Sequence, residues 1–82
     1  KLLVVATAPA ERGGVRDALV PRGGKKAYIG WADGAVDELA LPQGTLSTLG
    51  RHATAVRSLD DAPAGGYVAS MDEDGRTLVW SP

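Results

Sequence analysis

Few side chains in this sequence are of a type that performs chemistry. His52 is the only histidine and cysteine is absent, which excludes thiolate nucleophiles and thiolate metal sites. No serine or threonine lies at a motif spacing that would make His52 its general base. Residues 72–75 (DEDG) offer carboxylates that suit calcium, but the run continues into Arg76 and an apolar segment rather than further ligands. We therefore predict no catalytic residue, no metal site and no cofactor, and a chain that is not an enzyme.

The charge balance points away from nucleic acids and membranes. Lys+Arg number 9 and Asp+Glu number 10, which gives a net charge of −1 over 82 residues. Such a chain has no basic footprint for a phosphate backbone or an anionic bilayer. No apolar run is long enough to span a bilayer. With no cysteine and no signal peptide in this segment, we predict a cytoplasmic protein.

Short apolar runs separated by turn residues predict an all-β fold, because glycine and proline recur about every ten residues. Residues 10–20 and 34–41 also contain good helix formers, and two helices there would make the N-terminal half an α/β unit. Gly13 and Gly14 interrupt the first segment, and the second is only about two helical turns long, so we favour strands. The predicted strands lie in residues 2–7, 14–20, 26–32, 36–41, 45–49, 55–59, 67–71 and 77–80.

The sequence repeats loosely at a spacing of 41 residues. At this spacing Val15 falls on Val56, Arg16 falls on Arg57, and the Asp-Gly pair at 33–34 falls on the pair at 74–75. Two units, residues 1–41 and 42–82, then account for the chain, with four runs in each. Four short strands in about 40 residues have the size of one four-stranded antiparallel blade of a β-propeller.

The second unit resembles a WD40 repeat. Gly50 and His52 stand where that family has a Gly-His pair, and residues 67–80 follow its pattern of a small-residue strand, an Asp-Gly turn and a strand ending in tryptophan. The sequence departs from the pattern at Arg51, which splits the Gly-His pair, and at Ser81, which replaces the final aspartate. The resemblance implies two blades of a WD40-like β-propeller.

The resemblance also implies a buried, hydrogen-bonded tetrad in the second unit. The family forms it from a histidine, a serine or threonine, an aspartate and a tryptophan, which match His52, Ser70, Asp74 and Trp80. Each buried polar group in such a network needs a partner, and a closed set of four supplies one to each.

The first unit lacks these tetrad residues. Glu11 stands at the histidine position and Leu39 at the tryptophan position. We therefore expect apolar packing to hold this unit together, through Val15, Leu19, Ile29, Val36 and Leu39.

Two blades cannot close a ring, because propellers have about four to eight. An isolated pair would leave strand edges and apolar faces in water. Residues 1–7 match the fourth strand of a unit, whereas residues 77–80 match a third strand. We therefore expect residues 1–7 to complete the last blade of a neighbouring copy in a homo-oligomeric ring, or the missing blades to belong to a longer propeller chain.

The resemblance implies a non-catalytic scaffold for assembly and protein interaction, whose ligand is a peptide or protein. The alternative is an α/β enzyme fragment with catalytic residues partly elsewhere. A module that only self-assembles is a third interpretation. Candidate contact residues, taken to lie in loops, are Arg12, Arg22, Lys25, Arg51, Arg57 and Asp60.

Overall fold

The computed structural model describes residues 1–2, 10–62 and 66–81, and this part of the chain is all-β. It contains one 3₁₀ turn, Ala10–Arg12, and no α-helix. The prediction of an all-β fold is therefore confirmed. The strands are β1 (Val15–Leu19), β2 (Lys26–Trp31), β3 (Ala35–Ala40), β4 (Leu46–Arg51), β5 (Val56–Ala62), β6 (Tyr67–Asp72) and β7 (Thr77–Trp80).

The α/β alternative is wrong for the described residues. The segments considered as helices, residues 10–20 and 34–41, contain β1 and β3. The helix propensity of β3 is overridden because this strand is hydrogen-bonded on both sides, to β2 and to β4. The predicted strand at residues 2–7 lies outside the described residues, apart from Leu2.

The strands form two antiparallel sheets in which chain neighbours are also sheet neighbours. The first sheet has the order β1-β2-β3-β4, and the second has the order β5-β6-β7. The prediction of four strands per unit therefore holds for the first sheet, and the described part of the second sheet is one strand smaller. Tight turns with a positive φ at Gly34 and Gly75 connect β2 to β3 and β6 to β7.

The two sheets share one strand register, displaced by 41 residues. Val15 pairs with Trp31 in the first sheet, and Val56 pairs with Asp72 in the second. An irregularity follows each of these two valines before pairing resumes. The next hairpin repeats in the same way, because Ala27 pairs with Leu39 and Val68 pairs with Trp80. The spacing seen in the sequence is therefore a repeat of backbone geometry.

The hydrophobic core lies between the two sheets. Tyr28 and Val36 of the first sheet pack against Val56, Leu59 and Val68 of the second. Burying these side chains supplies about 1.5–3 kcal/mol for each large one. The side chains that pack around this cluster are Leu19, Leu49 and Trp80.

Glycines allow the sheets to approach closely. A Cβ atom at Gly30 would overlap Val56, and a Cβ atom at Gly50 would overlap the Trp80 ring. A side-chain bond also joins the first strands of the two sheets, because the Asp17 Oδ2 accepts a hydrogen bond of 2.7 Å from the Leu59 amide.

The packing joins two different faces of the repeated sheet. Val56 is fully buried at 0% exposure, whereas Val15, its equivalent in the first sheet, is 53% exposed. In the opposite sense, Val36 is buried and its equivalent Thr77 is exposed. The chain therefore uses one face of the first sheet and the other face of the second, and leaves the complementary faces uncovered by described residues.

Within the ranges that the structure describes, no helix has the length and apolar character needed to cross a membrane.

Candidate functional site

A continuous hydrogen-bond network lies inside the second sheet and centres on His52. The imidazole is buried, with Nδ1 3.1 Å from the Asp72 Oδ2 and Nε2 2.5 Å from the Ser70 Oγ. The Trp80 indole Nε1–H donates to the same Ser70 Oγ over 2.8 Å. The structure thus brings three of the four predicted tetrad residues, His52, Ser70 and Trp80, into one cluster.

The donors and acceptors of this network fit a single arrangement of protons. Since the Asp72 carboxylate accepts, His52 Nδ1 carries a proton and donates it. The Nε2 atom of a neutral imidazole then accepts from the Ser70 hydroxyl, whose oxygen is left to accept from Trp80. We assign the Nδ1–H tautomer on this basis. Both ring nitrogens of His52 are engaged, so neither is open to a substrate.

The carboxylate of this network belongs to Asp72, and the prediction of Asp74 is corrected. Side chains two residues apart on a strand point to the same face, so Ser70 and Asp72 of β6 both face His52. Asp74 lies in the following turn with its side chain exposed, and its backbone amide donates to Asp72 Oδ1 over 3.0 Å. The predicted residue therefore contributes its amide and not its carboxylate.

Asp72 also braces the turn between β6 and β7. Its Oδ1 accepts hydrogen bonds of 3.0 Å from the amides of Asp74 and Arg76. Burial acts to raise the pKa of Asp72, but the bonds from the Arg76 amide, His52 and the Asp74 amide outweigh it and leave the pKa below its ordinary value. The carboxylate is therefore ionised when the network forms.

The first sheet contains a second network, which centres on the buried carboxylate of Asp37. Its Oδ2 accepts from the Trp31 Nε1–H over 2.9 Å and from the Arg12 guanidinium over 2.7 Å. Its Oδ1 accepts from the Thr48 hydroxyl over 2.8 Å. Asp37 is only 1% exposed, so these partners compensate for the loss of its hydration.

Arg12 ties the segment before β1 to this network. Its guanidinium carbon lies 4.2 Å from the Trp31 ring centroid, in a cation–π arrangement. Its Nε donates to the Asp33 Oδ2 over 3.3 Å. The hydrogen bond to Asp37 raises the pKa of Arg12, and burial lowers it by less. Arg12 therefore remains charged and holds two carboxylates.

Asp33 has the turn-bracing role in the first sheet that Asp72 has in the second. Its Oδ1 accepts from the Ala35 amide over 2.9 Å. Burial acts to raise the pKa of Asp33, but the Ala35 bond and the charges of Arg12 and Arg51 lower it below its ordinary value.

The expectation that apolar packing alone holds the first unit is wrong. Val36 and Leu39 are buried as expected, but Val15 is half-exposed and an ionic network fills the centre of this sheet. The sequence analysis missed Arg12, Trp31, Asp37 and Thr48 as a group. The signal for them is an acidic residue at the centre of the apolar strand β3, which demands buried partners.

The six predicted contact residues fall into different environments. Arg12 is internal and paired, so its interpretation as a free contact is wrong. Arg51 is exposed and donates to the Asp33 carbonyl over 3.0 Å. The other four are exposed: Arg22 and Lys25 lie in the turn between β1 and β2, whereas Arg57 and Asp60 lie on β5 and not in a loop.

The described residues contain no group of three or more His, Asp or Glu side chains arranged to hold a metal ion.

Comparison with known proteins found no protein-family model and no curated protein that matches this chain. The fold and the two networks define a class, a repeat of antiparallel β-sheets with polar centres. The WD40 resemblance accordingly depends on the residues already named.

Proposed function

We propose that this chain is a non-catalytic assembly and protein-interaction scaffold built from two WD40-like propeller blades. Its uncovered faces are completed by other copies of the chain or by the rest of a longer propeller. Units 1–41 and 42–82 form the two blades, and the cytoplasm is the location we predict for it.

The burial difference between Val15 and Val56 carries this proposal. The two residues hold the same register position, yet one is 53% exposed and the other is fully buried against the first sheet. A contact that joins two different faces of a repeated unit can be made again by the next unit. Adding a sheet beyond the first would bury Val15 as Val56 is buried here.

The outward face of the second sheet provides the other half of such a contact. Ala69, Met71 and Thr77 are the equivalents of Tyr28, Gly30 and Val36, which bury the core in the first sheet. Val79, on the same face as Thr77, is 64% exposed. An apolar side chain this exposed is explained by a neighbouring sheet that covers it.

The edge of β7 fits the strand that the first sheet has and the second lacks. Among the described strands, β7 pairs with β6 alone, whereas its equivalent β3 also pairs with β4. Since Asp37 pairs with Thr48 in the first sheet, the 41-residue spacing would place Thr7 of a second copy opposite Leu78.

The mass of the chain in solution tests the proposal. Analytical ultracentrifugation combined with circular dichroism is expected to show a β-rich oligomer of fixed copy number. A chain that remains unfolded in isolation would support membership in a longer propeller. A compact, β-rich monomer of 8.4 kDa would overturn the proposal, because its faces would then need no cover.

A disulfide between copies tests the strand pairing, since the chain has no cysteine of its own. Thr7→Cys and Leu78→Cys variants, prepared separately and mixed under mild oxidation, are expected to give a covalent heterodimer. The control replaces Leu78→Cys with Arg57→Cys, which lies on another strand. Equal cross-linking in both mixtures would contradict the register proposed here.

A further inference from the structure

Two arginines repeat at the same structural position in the two sheets. Arg16 and Arg57 are 41 residues apart, and each lies at the register irregularity in the first strand of its sheet. Such an irregularity bends the strand and redirects a side chain, and it recurs beside binding sites. Both arginines are exposed.

The two arginines line one cavity of about 400 Å³ together with Val56 and Glu73. The Asp17–Leu59 hydrogen bond holds β1 and β5 beside each other, which brings their arginines to the same cavity. The lining therefore carries two positive charges and one negative charge.

Glu73 shows what the cavity attracts. Its Oε1 lies 3.1 Å from the Arg16 Nη1, and both side chains are about half exposed, at 52% and 48%. No ion pair involves Arg57 in the described part of the chain. The nearby Asp17 does not neutralise it, because that carboxylate accepts from the Ala18 and Leu59 amides.

We infer that this cavity, named here the paired-arginine site, binds an acidic peptide segment through carboxylates held by Arg16 and Arg57. Planar guanidinium groups suit this ligand, because each can donate two parallel hydrogen bonds to one carboxylate. Glu73 occupies half of the site and competes with the ligand. The inference rests on the proposed scaffold function and names the chemistry of the partner.

Fluorescence anisotropy with a labelled tetraglutamate peptide tests the site on the intact chain at low salt. Binding is expected, and it should weaken as salt screens the exposed charges. Arg16→Ala and Arg57→Ala should each weaken binding about three- to tenfold, the range for charge-assisted bonds at a partly solvated site. Glu73→Gln should strengthen binding, because it removes the internal competitor.

The control variant is Arg22→Ala, an exposed arginine in the turn at the far end of β1. It is expected to bind tetraglutamate as the parent does, and a tetraglutamine peptide should not bind. Absence of tetraglutamate binding, an equal loss in Arg22→Ala, or no gain in Glu73→Gln would each overturn the inference. Sedimentation of the same samples separates the two proposals, since intact oligomers that fail to bind contradict the paired-arginine site alone.

Discussion

Trp31 and Asp72 hold the same register position in the two sheets and have opposite parts in their hydrogen-bond networks. Each ends the second strand of its sheet and pairs with an equivalent valine, Val15 or Val56. Trp31 donates to a carboxylate on β3, whereas Asp72 is itself the carboxylate. The two sheets therefore share backbone geometry but exchange the positions of donor and acceptor.

This exchange keeps the physical result the same. In each sheet a residue that precedes the first strand, Arg12 or His52, meets a buried carboxylate, and an indole N–H belongs to the same network. A buried carboxylate is tolerated only when several donors surround it, and both arrangements supply them. Comparing the two halves position by position hides this likeness, because Trp31 stands against Asp72.

Replacing His52 with alanine should destabilise the fold. The substitution removes partners from the buried Asp72 and Ser70, at a cost of about 1–3 kcal/mol in the free energy of unfolding. Urea unfolding at a fixed chain concentration measures it. The matched control is Ala53→Gly, an exposed neighbour, and an equal loss in both variants would show that the network does not stabilise the sheet.

Asp72 and Asp74 are separated by a pair of isosteric substitutions. Asp72→Asn should lower the free energy of unfolding, because an amide cannot match the carboxylate as acceptor for His52 and two backbone amides. Asp74→Asn should have little effect, since that side chain is exposed. Thermal unfolding compares the two, and the reverse order of melting temperatures would restore Asp74 to the network.

Arg12 should stabilise the first sheet although it precedes the first strand. Arg12→Ala leaves the buried Asp37 without its shortest hydrogen bond and should cost about 1–2 kcal/mol, a range reduced because the guanidinium is partly solvated. Arg12→Lys should recover only part of this, because an ammonium group lacks the fork that reaches Asp33 and Asp37 together. Urea unfolding measures both variants, and full recovery by lysine would contradict the forked geometry.

Acid should weaken the fold through Asp33 and Asp72. Their pKa values lie below the ordinary 3.8 in the folded chain, so the stability they contribute is present above that pH and is lost as the pH falls through the folded values. The free energy of unfolding should therefore decline below about pH 4. Asp72→Asn should show a shallower decline, and an unchanged slope would show that Asp72 does not contribute to it.

Gly50 should not accept a side chain. Gly50→Ala would place a Cβ against the Trp80 ring and displace the indole from Ser70, at a cost of about 1–3 kcal/mol. Near-ultraviolet circular dichroism and urea unfolding report the two effects. Ser47→Ala, an exposed site on the same strand, is the control, and equal stability of the two variants would contradict the close packing.

The strands were predictable from local sequence, because turn residues bound each of them. The Asp-Gly pairs end in glycines with a positive φ, a conformation that other residues rarely adopt. The boundaries of β5 were the least accurate: the strand extends to Ala62, three residues beyond the prediction, since pairing with β6 continues through Asp60 and Asp61. Long-range pairing had decided what local composition did not.

The networks were harder to predict. The meeting of His52, Ser70 and Trp80 followed from a family pattern, but the choice between Asp72 and Asp74 required the two-residue alternation of β6. The Arg12–Asp37 pair spans 25 residues and matches no motif. Only the folded sheet brings these two side chains together.

The hydrogen bond from the Leu59 amide to Asp17 has a consequence for misfolding. Leu59 lies on β5, a strand whose outer amides would otherwise be available to any passing extended chain. The carboxylate satisfies one of these amides and sets a negative charge beside it, which disfavours cross-β stacking at that edge. A single aspartate thus protects the side of the second sheet that would be most exposed to amyloid growth.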